Sequence, residues 1–171
     1  EFVVEVGDEL HVVIQALSRE AADPFNTSTN VYKVDINGEI ELPILGAIPV
    51  QGLTLNQVEA TITDKLQNNL QKAFVEVSFA NASIVILGEV KNPQRMGIAN
   101  PISIFEALGA VNGFTANARI NAVEVLRKQD GQVSKYILDL SSSEVFQSPC
   151  YYLIKGDVVN VRPLHAVSSN Q

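Results

Sequence analysis

Short runs of alternating apolar and polar residues make up most of the chain, and two stretches instead have apolar residues at helical spacing. Alternation indicates β-strands, because successive side chains point to opposite faces of a sheet. Alternating or β-rich runs of this kind occur at residues 10–14, 31–36, 39–42, 74–79, 122–126, 132–140 and 158–161. Spacings of three and four occur at Leu55, Val58, Ile62, Leu66 and Leu70, and again at Ile104, Phe105, Leu108 and Val111. The first set predicts a helix of about four turns that packs on a sheet, and the second a shorter helix whose apolar residues face a core.

The most apolar strand lies near the midpoint, at residues 83–87, and separates two cycles of strands and one helix. Gly88 follows this strand, and Pro93 cannot continue a sheet ladder. We therefore predict an α+β fold of two small modules, the first a hairpin plus a helix, with Gly88 at the turn between them. The predicted division is residues 1–82, residues 83–165 and a polar tail at residues 166–171.

Local motifs predict where these elements begin and turn. Residues 54–57 (TLNQ) and 103–106 (SIFE) have the spacing of capping boxes, in which two side chains satisfy open helix amides. Asn37-Gly38 and Asp130-Gly131 lie between alternating runs and predict hairpins. Residues 18–30 are rich in Ser, Thr, Asn and Ala and predict a loop. Short β pieces are expected at residues 44–45 and 47–50.

A Gly-Asp pair precedes a β-rich run twice, at Gly7-Asp8 and Gly156-Asp157. Two such aspartates could form a paired acidic site, but turns use Asp routinely to bind nearby amides. We interpret both pairs as strand-initiating turns. The other predicted structural turn residues are Asn37, Gly38, Gly46, Gly52, Gly88, Pro93 and Gly113.

The composition excludes several partners. The net charge is −7 and the isoelectric point about 4.8, and no basic run is longer than Arg127-Lys128. Phosphate backbones require clustered cations, so we expect no nucleic acid partner. No apolar run is long enough to cross a bilayer as a helix. A single cysteine, Cys150, cannot form an internal disulfide.

The residues that could support chemistry are few and scattered, and we predict no catalytic residues, no metal site and no cofactor. Cys150 would need a base, and His11 and His165 lie far from it in sequence. A calcium loop aligned on Gly38 would place Lys33 at the first ligand position, where an acid is needed. The four tyrosines could stack on sugars, although packing at sheet margins is the favoured interpretation; they are Tyr32, Tyr136, Tyr151 and Tyr152.

In their order and spacing, the motifs resemble one known family, the bacterial outer-membrane polysaccharide export proteins. The second half resembles a soluble-ligand-binding β-grasp (SLBB) domain. The matching motifs are residues 6–10, 37–40, 42–46, 50–54, 87–90, 92–93, 104–108, 112–115, 119–121, 125–127, 148–153 and 156–159. They extend over nearly the whole chain.

The resemblance implies a lipoprotein that assembles into a homo-oligomeric ring, a periplasmic conduit for capsular polysaccharide or exopolysaccharide. It also implies an inner-membrane polysaccharide co-polymerase, usually a tyrosine kinase, as a partner. This sequence has no lipidated N-terminal Cys and no apolar stretch after residue 165. We therefore expect it to be the periplasmic part of a longer protein that is attached to the outer membrane.

Three functions follow as hypotheses. The first is a conduit segment that passes polysaccharide without modifying it. The alternative is a periplasmic module that binds a glycan or a protein and has no conduit role. The third is an enzyme, such as a glycan hydrolase, which would need convergent carboxylates with a shifted pKa. No such pair is evident in the sequence, so we predict that the protein is not an enzyme.

Overall fold

The computed structural model describes residues 2–129 and 131–165. Strands and helices both contribute, which confirms the α+β class. The chain forms two compact units that divide between Asn81 and Ala82. Among the described residues, no helix is long and apolar enough to cross a membrane. Asp130, in the second predicted hairpin, and the predicted polar tail lie outside the described residues.

The first unit contains five strands and two α-helices. Its elements are β1 (Glu9–Gln15), α1 (Arg19–Ala22), a 3-10 helix (Asp23–Phe25), β2 (Val31–Lys33), β3 (Glu39–Leu42), β4 (Gly46–Pro49), α2 (Leu55–Leu66) and β5 (Phe74–Phe79). One antiparallel sheet has the order β2-β1-β5, and β3 pairs with β4 as a separate hairpin.

The core of the first unit lies between α2 and these strands. The capping box of α2 is formed: the Thr54 hydroxyl accepts from the Gln57 amide, and the Gln57 side chain accepts from the Thr54 amide. Val58, Ile62 and Leu66 are fully buried on one face of the helix. The alternation along β1 buries its apolar residues in the same way, as the sequence pattern predicts.

The predicted hairpin at Asn37-Gly38 is wrong in its pairing. The turn forms, because the Gly38 amide donates to the Asp35 carbonyl at 2.9 Å and the Asp35 carboxylate accepts from the amides of Asn37 and Glu39 at 2.9 and 3.0 Å. However, β2 pairs with β1, and β3 pairs with β4. Local chemistry determines the reversal of the chain, whereas β2 pairs with β1 from far earlier in the sequence and β3 pairs with the strand that follows it.

Residues 18–30 are not the continuous loop that the composition predicts. They contain α1 and a 3-10 helix, and the Ser18 hydroxyl caps α1 by accepting from the amide of Ala21. The Asn26 side chain bonds both the amide and the carbonyl of Ile14, at 3.0 and 2.8 Å. These bonds hold the segment against β1, a contact that composition alone does not reveal.

Two further details of the first unit differ from the prediction. Residues 44–45 form a turn rather than a strand, with Ile44 at a φ of +69° and largely exposed. Helix α2 ends at Leu66 after about three turns, and Leu70 lies beyond it in a turn but remains buried.

The second unit contains seven strands and one α-helix. Its elements are β6 (Ser83–Gly88), β7 (Gln94–Gly97), β8 (Ile102–Ser103), α3 (Ile104–Ala110), β9 (Val123–Gln129), β10 (Gln132–Leu138), a 3-10 helix (Ser143–Gln147), β11 (Tyr152–Leu153) and β12 (Val158–Val161). The main sheet has the order β10-β9-β12-β6-β7, in which only the β12–β6 pair is parallel. The short strands β8 and β11 form a separate pair.

Gly88 lies inside the second unit, so its predicted place between the modules is wrong. It ends β6 with a φ of +89°, and a Cβ at this position would overlap the carbonyl group of Val161. The same carbonyl accepts from the amide of Glu89 at 2.8 Å. A glycine is therefore needed here for the close approach of two strands as well as for its φ.

The helix cap in the second unit is half of the predicted box. The Ser103 hydroxyl accepts from the Glu106 amide at 3.1 Å and donates to the Glu106 carboxylate at 3.3 Å. That carboxylate thus binds the serine hydroxyl instead of the serine amide. Phe105, predicted to face the core, is 41% exposed, whereas Ile104 and Leu108 are buried.

Candidate functional site

The glycines that the sequence singles out all have a positive φ and lie at or beside a turn or at one end of a strand. They are Gly7, Gly38, Gly46, Gly52, Gly88, Gly113 and Gly156. Pro93 directly precedes β7, and Asn37 is an exposed turn residue.

The two Gly-Asp pairs form turns of the same geometry. The Asp8 carboxylate accepts from the Glu5 amide at 2.8 Å, and the Asp157 carboxylate accepts from the Ile154 amide, also at 2.8 Å. Each aspartate amide also donates to the carbonyl group three residues earlier, at 3.1 Å. The aspartates belong to different units, and each caps the turn that leads into its own strand.

Asp157 has a second partner that the sequence analysis missed. Its carboxylate receives two hydrogen bonds from the Arg127 guanidinium, Nε to Oδ1 at 3.0 Å and Nη2 to Oδ2 at 2.7 Å. The side chains are only 7% and 1% exposed. Donation of a hydrogen bond to the Asp157 carboxylate raises the pKa of Arg127 above its ordinary value, although burial opposes this. These residues are 30 positions apart, so no local pattern links them.

The same guanidinium also organises the loop before β12. Arg127 Nη1 donates to the Pro149 carbonyl at 3.1 Å, and Nη2 donates to the Tyr152 carbonyl at 3.0 Å. Arg127 therefore binds both ends of a four-residue segment that includes Tyr151. The planar guanidinium presents its N–H donors in a rigid arrangement, and here they match a carboxylate and two backbone carbonyl groups.

Four aromatic rings meet at this loop, and we call them the aromatic patch: Phe105, Phe146, Tyr151 and Tyr152. The ring centroids are 6.2 Å apart for Phe105 and Tyr151, 5.3 Å for Phe146 and Tyr151, and 4.9 Å for Tyr151 and Tyr152. Phe105 and Phe146 also meet, at 6.1 Å. Phe146 and Tyr152 are each 57% exposed. The sequence points to the two tyrosines but not to Phe146. Phe146 lies in a 3-10 helix, for which the pattern of apolar and polar residues gives no signal.

Cys150 directly precedes Tyr151 in the chain and is fully buried. Burial raises the pKa of its thiol to about 11, although the charge of Arg127 opposes this. A thiol of this kind is almost entirely protonated at neutral pH and is a poor nucleophile. Within residues 2–129 and 131–165, no group of three or more His, Cys, Asp and Glu side chains is arranged to hold a metal ion.

A second surface feature, in the first unit, is a cleft of about 590 Å³ between the end of β1 and the segment of α1. Leu17 and Phe74 border it and are 79% and 66% exposed. Asn26 also lines the cleft, but its side chain is already bonded to the backbone of β1 and of α1. Further polar side chains line the cleft, including Gln15, Arg19 and Asp23, so its surface is mixed polar and apolar.

Comparison with known proteins identifies related families for both units. Residues 1–80 match the family described as polysaccharide biosynthesis/export protein, and residues 82–161 match the SLBB domain. The EPS I polysaccharide export outer membrane protein EpsA of Ralstonia solanacearum is 28% identical over 139 residues, which are 77% of this chain and 36% of that protein. The protein of the same name from Ralstonia nicotianae is 27% identical over 139 residues, 78% of this chain and 36% of its own length. The chain thus spans about a third of the length of these relatives.

Proposed function

The chain belongs to the bacterial polysaccharide export proteins, and from this premise we propose that it is the periplasmic part of an outer-membrane export channel. In this proposal it contributes to a ring-like conduit for capsular polysaccharide or exopolysaccharide. Residues 1–82 act as the export domain and residues 83–165 as a soluble-ligand-binding β-grasp domain.

The observation that carries the proposal is the succession of two domains in one chain. An export domain followed at once by an SLBB domain accounts for nearly all the described residues. The relatives that share this region are named as export proteins of the outer membrane.

The proposed partners follow from the same family. They are the exported polysaccharide, further copies of the protein in a ring, and an inner-membrane co-polymerase of the tyrosine-kinase type. The full-length protein would be attached to the outer membrane as a lipoprotein. The proposed role is transport without catalysis, and the protonated, buried thiol of Cys150 is consistent with it.

Charge supports a passive role and a preference for uncharged cargo. Residues 1–81 contain 12 of the 19 acidic side chains but only 4 of the 12 basic ones. A polymer that bears carboxylates would be repelled by this unit at low ionic strength. Weak binding also suits a conduit, because a tight site would hold the polymer in place.

The exposed aromatic patch favours a second candidate, a periplasmic module that binds a glycan or a protein without forming a conduit. The two candidates differ in what happens to the polymer when the protein is absent. A conduit is required for the polymer to reach the surface, whereas an accessory binder is not.

The test is deletion of the full-length gene, with complementation from a plasmid. The conduit function predicts loss of surface polymer and retention of its precursor in the cell envelope. Complementation with the full-length gene should restore surface polymer. Normal surface polymer in a deletion strain without a second copy of the gene would reject the conduit and favour the binding module.

A further inference from the structure

We propose that the aromatic patch is a binding site for a short segment of uncharged polysaccharide, with pyranose rings stacked on Tyr152 and Phe146. This inference rests on the proposed function, because the polymer in transit is its natural ligand. It goes further by naming the surface of the second unit that touches the polymer and the class of sugar that it selects.

The first argument is the exposure of the rings. Phe105, Phe146 and Tyr152 are 41%, 57% and 57% exposed, although large aromatic side chains are usually more buried. Their planes are inclined at 39° to 80° to those of their neighbours, so no two rings cover each other face to face. Aromatic faces are electronegative. They attract the weakly positive C–H face of a pyranose, whose hydroxyl groups lie around its edge.

The second argument is that the patch is held in place before any ligand binds. Arg127 fixes the backbone on both sides of Tyr151 through the carbonyl groups of Pro149 and Tyr152. Asp157 holds the guanidinium in turn, inside the unit. A rigid aromatic surface loses little conformational freedom when it binds, which improves the affinity of a small contact.

The third argument concerns charge and sets the class of sugar. The ionisable residues nearest to the patch in sequence are two acids and one base: Glu106 beside Phe105, Glu144 near Phe146, and Lys155 three positions after Tyr152. Arg127 also bonds this loop, but its charge is neutralised by Asp157. Uronate or phosphate groups would therefore meet more negative than positive charge beside the patch, whereas uncharged hexoses meet no charge penalty.

The expected affinity is low, with a Kd of about 1 mM, which corresponds to about −4 kcal/mol. Two or three stacked rings without a deep pocket are consistent with this value. Weak contact is also what a conduit needs, since the polymer must leave the site as readily as it arrives.

The experiment uses the purified 171-residue chain, isotope-labelled and followed by NMR, during titration with oligosaccharides. The probes are maltohexaose, cellohexaose and an N-acetylglucosamine tetramer, with oligogalacturonate as the charged counterpart. We expect at least one uncharged probe to shift resonances of Phe105, Phe146, Tyr151 and Tyr152, and oligogalacturonate to shift none of them.

Four variants test whether the rings carry the binding. Tyr152→Ala and Phe146→Ala should each weaken binding about tenfold, the change that corresponds to about 1.4 kcal/mol. Tyr152→Phe keeps the ring and should retain most of the affinity. Phe74→Ala removes a comparably exposed ring from the first unit and should change nothing. Each variant should fold normally, because the substituted rings lie at the surface. An unchanged circular dichroism spectrum and an unchanged melting temperature verify this.

The proposal is overturned if no uncharged probe binds, if Tyr152→Ala and Phe74→Ala behave alike, or if oligogalacturonate binds equally well at the patch. It is also overturned if the patch resonances shift only with protein concentration, because the patch is then a contact between copies. The gene deletion is independent of this test. If export is normal after deletion but binding depends on the aromatic side chains, the conduit is rejected and the sugar site stands. If export is lost after deletion but no probe binds the patch, the conduit stands and the sugar site is rejected.

Discussion

Arg127 and Asp157 form an ion pair inside the second unit through two hydrogen bonds, of 3.0 and 2.7 Å, and almost no part of either side chain reaches solvent. The pair joins β9 to the turn that begins β12. Because Arg127 also bonds the loop that bears the aromatic patch, the stability of the unit and the shape of that surface depend on the same two residues.

Replacing one partner of this pair should destabilise the protein strongly. Asp157→Asn keeps the size of the side chain but leaves the Arg127 charge buried without compensation, at an expected loss of about 3–5 kcal/mol in the free energy of unfolding. The free energy of unfolding is measured by urea titration, with tyrosine fluorescence as the signal.

The matched control is Arg162→Gln, which breaks the 3.0 Å pair with Glu124. Arg162 is 46% exposed, Glu124 is only 10% exposed, and Glu124 keeps a hydrogen bond from Asn160, so the expected loss is smaller than for Asp157→Asn, about 1–2 kcal/mol. Equal losses in the two variants would contradict the special role of the buried pair.

The buried thiol of Cys150 should make the protein less stable in alkaline solution. Its ordinary pKa is 9.0, and burial raises the native value to about 11. Between these values the unfolded chain ionises while the native thiol stays protonated, so stabilisation present below pH 9 is lost as the pH rises through 11. The loss approaches roughly 3 kcal/mol. Unfolding of the wild type and of Cys150→Ala should diverge with pH over this window, and parallel curves would refute the prediction.

Two glycines of the second unit allow strain and steric overlap to be separated. Gly156 has a φ of +86° and open space where a Cβ would lie, so Gly156→Ala should cost about 1–2 kcal/mol from backbone strain alone. Gly88 has a similar φ of +89°, but its Cβ would overlap the carbonyl of Val161. Gly88→Ala should therefore cost clearly more, measured by thermal or urea unfolding. An equal loss at both positions would show that β6 and β12 adjust at no cost.

The capping box of α2 should contribute about 1 kcal/mol to the first unit. Thr54→Ala removes the hydroxyl that accepts from the amide of Gln57 and leaves that amide without its partner. The control is Thr61→Ala, whose hydroxyl only bonds the Gln57 carbonyl within the helix. That change should be almost neutral, because Ala is the better helix former. A comparable loss from Thr61→Ala would mean that the cap is not the stabilising element.

The sequence predicts features whose causes are local. The capping box at residues 54–57 depends on side chains three positions apart, and the turn at Asn37-Gly38 depends on Asp35 and a glycine. The pairing of β2 with β1 depends on which distant segments can share a core, and the alternation of residues 31–36 has no information on that choice.

The candidate site was harder to predict for the same reason. The sequence points to Tyr151 and Tyr152, but their ring partner Phe105 comes from α3, far earlier in the chain, and Phe146 comes from a 3-10 helix that the sequence pattern does not predict. Phe105 occupies a helical position with apolar neighbours, which wrongly predicts a core residue. Arg127 lies in an alternating strand, and nothing near it in sequence indicates that its charge is neutralised inside the fold.

The parallel pairing of β12 with β6 has a mechanical consequence. The chain enters the unit at the start of β6 and leaves the sheet at the end of β12, and the register pairs Val158 with Val85 and Val161 with Gly88. Tension applied between residues 83 and 161 would pull these neighbouring strands past each other lengthwise, so that their hydrogen bonds bear the load together instead of opening one by one. We expect single-molecule pulling at these points to require a higher force than pulling across the β9–β10 hairpin, whose bonds open in sequence; equal forces would contradict this. Such a unit resists stretching between fixed attachments.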